Sequence, residues 1–216
     1  MAEFWHGFNP ASSGWIFMWA ILIVGGFMVA IAVERIYFIY MQSNINAPRF
    51  MTKIRRLIEA KDYKRAINLC RSVPGKALPT IVLAGLTKAS KMDTPNFRAI
   101  QNAVDEGTLE TIPKLQARTN YLAMIGNIST LIGLMGTIYG LILAFRSIEA
   151  PGIDAAEKGR LLAHGISVAM NTTLFGLAVA IPAILAYTIL HNKTTQIIDE
   201  IDEHTVKLIN LMTEEE

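Results

Sequence analysis

NYLAMIGNISTLIGLMGTIYGLILAF, Asn120 to Phe145, contains no charged residue, and this decides the class of fold. A helix needs about 20 mostly apolar residues to cross the hydrocarbon core of a bilayer. The uncharged run here extends from Thr119 to Phe145. Two further stretches share the property: Phe4 to Val33, almost wholly apolar from Trp15 onward, and Leu161 to Asn192, with His164 and His191 near its ends. Three membrane-spanning helices are predicted, at residues 15–40, 119–145 and 161–190. Trp15 and Trp19 at one end of the first, and Tyr37 and Tyr40 at the other, suit the aromatic belts found at membrane interfaces.

Charge outside the spans sets the expected orientation. Met41 to Arg118 holds 14 Lys/Arg against 6 Asp/Glu, Arg146 to Arg160 holds 3 of each sign, and the residues before the first span hold no Lys or Arg. Arg49, Lys53, Arg55, Arg56 and Lys61 follow the first span closely, where the positive-inside rule is strongest. Residues 41–118 are thus expected as a cytoplasmic helical domain, 1–14 as an external N-terminal segment, 146–160 as an external loop and 191–216 as a cytoplasmic C-terminal helix. The first span lacks a basic region before it and a small-residue cleavage site after it, so it reads as a retained helix rather than a signal peptide.

The remaining composition narrows the function classes. A net charge of +2, with no basic run interleaved with aromatics, argues against nucleic acid. The single cysteine, Cys70, cannot form an internal disulfide and reads as a small buried apolar residue. Within the cytoplasmic segment, Phe50, Ile54, Leu57 and Ile58 recur at helical spacing, as do Tyr63, Ala66, Ile67 and Cys70. Pro74-Gly75 separates these from a helical stretch at Leu78 to Lys91, and Asp93-Thr94-Pro95 signals the start of another. Ile197, Ile201, Leu208 and Met212 form one apolar stripe, expected to pack against the other cytoplasmic helices. No strand pattern competes. The fold class is an all-α membrane protein: three transmembrane helices with long cytoplasmic helical extensions.

Spans two and three are unusually polar and glycine-rich. Gly126, Gly133, Gly136 and Gly140 recur every three, four or seven residues and permit close approach of another helix, as does Gly176 in span three. Asn127, Thr130 and Thr137 lie near one face of span two, and Ser167, Asn171, Thr172 and Thr173 cluster in span three. Thr137 lies nine residues inside the external end of its span and Thr173 about ten inside its own, so roughly 13 and 15 Å deep at 1.5 Å per residue. A single intramembrane hydroxyl is commonly structural, bonding back to its own helix or across helices for about 0.6 kcal/mol. A cluster from two helices at one level is the kind of polar group that lines a cavity or ion path. These seven side chains are the candidate ion pathway, with Gly133, Gly136, Gly140 and Gly176 as packing positions.

The run from Gly133 to Gly140, GLMGTIYG, resembles the GLFGTVWG signature of the second span in the MotA/TolQ/ExbB proton channel family, and closest to its ExbB and TolQ members. The run from Thr173 to Pro182, TLFGLAVAIP, resembles the third-span pattern of threonine, glycine, then AIP. Span count, orientation and loop sizes agree, so the resemblance covers nearly the whole chain. It implies a homopentamer around two single-span ExbD/TolR-like partner helices, each bearing an intramembrane aspartate that binds and releases the ion. Thr137 and Thr173 match the two threonines that face this aspartate. Family members usually carry a glutamate five residues before the second threonine; Val168 stands there in this chain. The titrating carboxylate would then come from the partner alone.

What the resemblance implies is an ion-conducting subunit of an inner-membrane motor that couples proton, or alternatively sodium, motive force to mechanical work. Protein transport across the envelope is one such process. The contrasting reading is a non-conducting membrane scaffold whose cytoplasmic helices dock other proteins. Neither catalysis nor a cofactor is expected: GxSxG, HExxH and P-loop sequences are lacking, and His6, His164, His191 and His204 are too scattered for a metal site.

Overall fold

The computed structural model describes residues 7–8, 10, 14–43, 45–92, 96–149, 152 and 154–213, and among these there is no strand. The helices are α1 (Trp15–Ile36), continued by a π-helical stretch (Tyr37–Ser43), α2 (Ala47–Glu59), α3 (Tyr63–Arg71), α4 (Ala77–Ala89), α5 (Phe97–Gln116), α6 (Thr119–Ile148) and α7 (Ala155–Thr213). Three of the described helical stretches, containing α1, α6 and α7, are long and apolar enough to cross a membrane. The expected all-α class with three spans and a long helical extension is therefore what the chain adopts. The chain divides into two compact units, Met1–Val33 with Arg118–Thr188 and Glu34–Ala117 with Ile189–Glu216.

The first unit is a bundle of α1, α6 and the first part of α7. Large apolar residues stay exposed in it, among them Ile23, Phe27, Leu131, Ile138, Leu174 and Ile181. Small residues take the packed positions instead. Gly126, Gly133, Gly136, Gly140, Ala144, Ala169, Gly176, Ala180 and Ala183 are all buried.

The second unit is packed as a water-soluble domain would be. Three of its helices start on a side-chain cap: Asn46 Oδ1 accepts from the Arg49 N–H (3.1 Å), Asp62 Oδ1 from Arg65 (3.0 Å) and Asn96 Oδ1 from Ala99 (3.2 Å), while α4 starts without one. Such a cap satisfies one of the first N–H groups that no helical carbonyl can reach. Asn96 is the cap seen for α5; the start signal read at Asp93-Thr94-Pro95 lies outside the described residues. Gly75, after Pro74, turns the chain between α3 and α4 with φ of 79°, a backbone conformation that glycine enters without steric cost. α2 buries Phe50, Met51, Ile54 and Ile58 and turns Arg49, Lys53 and Arg56 to solvent.

The stripe at Ile197, Ile201, Leu208 and Met212 is buried, with at most 5 % exposure at any of the four, so it packs within this unit as expected. It belongs to the same 59-residue helix as the third span, because no glycine or proline interrupts residues 183–213 and Pro182 is absorbed within the helix. Cys70 is buried, and burial pushes its thiol up to about 12.

One buried charge in this unit has a structural task. Arg35 is 3 % exposed, donates from Nη2 to the Leu115 carbonyl, and sits 4.8 Å over the Phe38 ring. Leu115 is in the last turn of α5, where carbonyls lack a helical donor and the helix dipole is negative. The guanidinium satisfies both the bond and the charge. Replacing Arg35 by methionine keeps the stem and removes the donor, and is expected to cost about 2 kcal/mol. Hydrogen exchange on the protein in nanodiscs would show it as faster exchange in the last turn of α5; unchanged exchange there would contradict this role.

Candidate functional site: the glycine seam between α6 and α7

α6 and α7 run antiparallel and touch backbone to backbone. A Cβ on Gly133 would lie 3.1 Å from the Thr172 carbonyl oxygen and 3.2 Å from the Thr173 Cα, and one on Gly176 would lie 2.6 Å from the Ser129 carbonyl oxygen. Farther along, Gly136 faces Thr172, Gly140 faces Ala169, and Gly165 faces Ala144. In the other direction Gly126 faces Ile184. All four packing glycines expected from the sequence lie in this seam, together with Gly126. Gly165 and Gly14 were not singled out, and Gly14 gives no repeat by which spacing would reveal it.

The threonines are set by the seam. Thr173 Oγ1 donates across it to the Gly133 carbonyl at 3.1 Å. In an α-helix that carbonyl also accepts from the N–H four residues on, at Thr137. The two threonines thus stand within about one turn of each other, the common level that their depths suggest. Thr137 Oγ1 donates to the Leu134 carbonyl at 2.6 Å, and both side chains are half-buried. Thr130, seven residues before Thr137, donates to the Gly126 carbonyl at 3.1 Å and is exposed on the same flank. Asn127 is exposed one turn earlier.

The other three candidates fall elsewhere. Thr172 is 1 % exposed inside the seam, its hydroxyl given to the Ala169 carbonyl at 2.7 Å. Asn171 and Ser167 lie four residues apart, and at 100° per residue Asn171 points about 160° away from Thr173. The clustering in sequence is therefore split by the helix into a seam residue and two opposite flanks. The α1 side is identified by Gly14 and Phe17: a Cβ on Gly14 would meet Thr172 at 3.1 Å and Val168 at 3.3 Å, and the Phe17 ring centroid is 5.5 Å from that of Tyr139. Asn171 and Ser167 are on that side, Thr137 and Thr173 on the other. Val168, the position where the family usually has glutamate, faces the start of α1 rather than the Thr137–Thr173 flank.

Ser129 is fully buried and its hydroxyl has no hydrogen-bond partner. No group of three or more His, Cys, Asp or Glu side chains suited to a metal occurs among the described residues. The arrangement offers neutral hydroxyls and carbonyls, which can donate to a carboxylate or give oxygens to a cation without adding fixed charge.

A three-span, all-α membrane protein with a glycine-packed polar seam is the class these features define. Residues 75–203 match the MotA/TolQ/ExbB proton channel family, and the chain belongs to it. It is similar to a putative biopolymer transport protein ExbB homolog of Methanothermobacter thermautotrophicus, at 26 % identity over 93 % of this chain and 67 % of that one. It is also similar to the Tol-Pal system protein TolQ of Haemophilus influenzae, at 36 % over 59 % of this chain and 60 % of that one. Biopolymer transport protein exbB1 of Vibrio cholerae is 38 % identical over 43 % of this chain and 40 % of that protein. The chain thus spans about two thirds or less of these relatives. Among solved structures, C. jejuni MotAB has the same fold, with a TM-score of 0.66 at 16 % identity, covering 97 % of this chain and 79 % of that one.

The seam makes a direct prediction. In Gly176→Ala the new methyl would strike the Ser129 carbonyl oxygen at 2.6 Å, a backbone atom that cannot swing away. Overpacking of this kind costs about 1–3 kcal/mol, and a fall of several degrees in the melting midpoint of the detergent-solubilised protein is expected. Gly26→Ala meets nothing within 4 Å and gains helix propensity, so it should leave the midpoint unchanged or raised.

Proposed function

We propose that this chain is the ion-conducting subunit of an inner-membrane motor, coupling proton motive force, or alternatively sodium motive force, to mechanical work. The coupling runs through a single-span ExbD/TolR-like partner bearing an intramembrane aspartate. The observation that carries the reading is the Thr173 hydroxyl bonded to the Gly133 carbonyl, one turn from Thr137, on a half-buried flank of the seam. A lone carboxylate in hydrocarbon is driven neutral by desolvation. Polar oxygens beside it, with access to water, bring its pKa into a range where it can load and release an ion. The family membership and the relatives' names support this reading.

In it, five copies surround two partner helices, the N-terminus is periplasmic, the C-terminus and residues 41–118 are cytoplasmic, and the chain is not an enzyme and needs no cofactor. With valine rather than glutamate at position 168, the titrating carboxylate comes from the partner alone. The second reading, a non-conducting scaffold, draws on the second unit, whose packed core would stand as a docking platform without any ion path.

The two readings separate on valine substitutions, which keep the shape of threonine and remove its hydroxyl. Thr173→Val and Thr137→Val complexes, co-purified with the partner and placed in proteoliposomes, are expected to assemble normally. Ion uptake should fall by about tenfold or more, the equivalent of one lost charge-assisted hydrogen bond. Full uptake with both threonines replaced would sink conduction through this flank, and no ion uptake even by the unsubstituted complex would favour the scaffold.

A further inference from the structure

Two neighbouring hydroxyls of α7 reach for one carbonyl. Thr173 Oγ1 lies 3.1 Å from the Gly133 oxygen, and Thr172 Oγ1 lies 3.4 Å from it. A carbonyl oxygen has two lone pairs. One takes the Thr137 N–H inside α6, and the other takes the Thr173 hydroxyl. The acceptor is then full, and the Thr172 hydroxyl is held instead 2.7 Å from the Ala169 carbonyl of its own helix. That carbonyl already has a helical donor, the Thr173 N–H four residues on. A back-bond of this kind adds little to a helix and can weaken it slightly. The Thr172 hydroxyl is therefore easily released.

The surroundings hold the side chain and leave its hydroxyl room. Thr172 is 1 % exposed. Its methyl is wedged between two glycines: a Cβ on Gly14 would lie 3.1 Å from Cγ2, and one on Gly136 would lie 3.2 Å from it. The Cβ on Gly136 would also come within 2.7 Å of Oγ1, so the glycine there keeps space open beside the hydroxyl. No change of rotamer is needed. Rotation about the Cβ–Oγ1 bond turns the proton from Ala169 toward Gly133, and closing the gap by about 0.4 Å makes an ordinary O–H···O bond.

We propose that Thr172 is a positioning residue for Thr173: its hydroxyl takes over the Gly133 carbonyl whenever the Thr173 hydroxyl turns away to donate to a carboxylate. Thr173 has one hydroxyl proton and cannot give it to Gly133 and to a carboxylate at once. Without a replacement, each turn would empty a lone pair inside the packed seam, where an unmade hydrogen bond is unfavourable. A metal cation would ask for less, since it takes a lone pair of Oγ1 and leaves the O–H on Gly133. The exchange thus serves a carboxylate and its proton. The carboxylate rests on the conduction reading, whereas the exchange of hydroxyls is a property of this chain alone.

Two substitutions at Thr172 separate the hydroxyl from the methyl: valine removes the first and serine the second. The exchange is read on the full chain in detergent, from the melting midpoints of Thr172→Val, Thr173→Val and the double variant. In Thr173→Val the Thr172 hydroxyl fills the vacated lone pair, and in the double variant nothing can. The double variant should therefore melt about 1–2 °C below the sum of the two single effects, the equivalent of one hydrogen bond between helices. Additive effects would overturn the exchange, because Thr172 would then be committed to Ala169.

The positioning role is read as ion uptake by complexes with the partner in proteoliposomes. Thr172→Val is expected to lower uptake about threefold to tenfold, the equivalent of one neutral hydrogen bond, and Thr172→Ser to retain it. On a Thr173→Val background, where no hydroxyl is left to replace, Thr172→Val should add nothing. Wild-type uptake by Thr172→Val would overturn the role, and so would an equal loss on both backgrounds, which marks a packing defect. Full uptake by the Thr137/Thr173 double valine variant would instead sink the conduction reading, while the midpoints would still decide the exchange.

Discussion

Lipid tails are as apolar as the helices they surround, so two spans gain little from hiding apolar surface against each other. What holds α6 to α7 is the close approach at Gly133, Gly136, Gly140 and Gly176. A methyl group would be crowded at the first and third and would overlap its neighbours at Gly136 and Gly176. That closeness has a consequence for polarity. It brings the Thr173 hydroxyl to the Gly133 carbonyl across the interface, a distance that larger side chains at these positions would open. The same contact that replaces hydrophobic packing also sets the position of the groups proposed to meet the ion.

The second unit obeys the opposite solvent rule. Three of its helices are capped by asparagine or aspartate, its core is apolar, and α2 turns its cations outward, as expected for helices in water. Arg35 is the exception, a buried guanidinium held by the last turn of α5 and the Phe38 face. A charge is stable there because the helix terminus supplies a free carbonyl and a negative dipole end, and the ring supplies a negative face. The next residues after α5, Ala117 and Arg118, lead directly into the second span, and Arg118 takes a left-handed φ of 61° to do so. This turn comes eight residues before Gly126, where the seam begins.

Polar side chains within the spans serve three distinct ends in one short stretch of α7. Thr172 is consumed inside the packing, Thr173 reaches across to α6, and Asn171 turns to the far flank beside α1. Three consecutive residues cannot share a face of a helix with 3.6 residues per turn. Whatever each contributes to conduction, it does so from a different surface.

Span number, the all-α class, the packing glycines and the apolar stripe at Ile197 to Met212 were all legible from the chain alone. Each follows from a local rule: the length of an uncharged run, the spacing of small residues, or a period of 3.6. The common level of Thr137 and Thr173 was legible too, from counting residues inward. The division of Ser167, Asn171, Thr172 and Thr173 among flanks was not, because residue type shows polarity but not which side of a helix a neighbour occupies. The Arg35 bond joins residues 80 apart and reads locally as an ordinary positive end of a span. Where α1 begins along α7 was also beyond local reading. A span's length says how far it can reach, while only the packing of Gly14 and Gly25 against α7 decides where along its neighbour it stands.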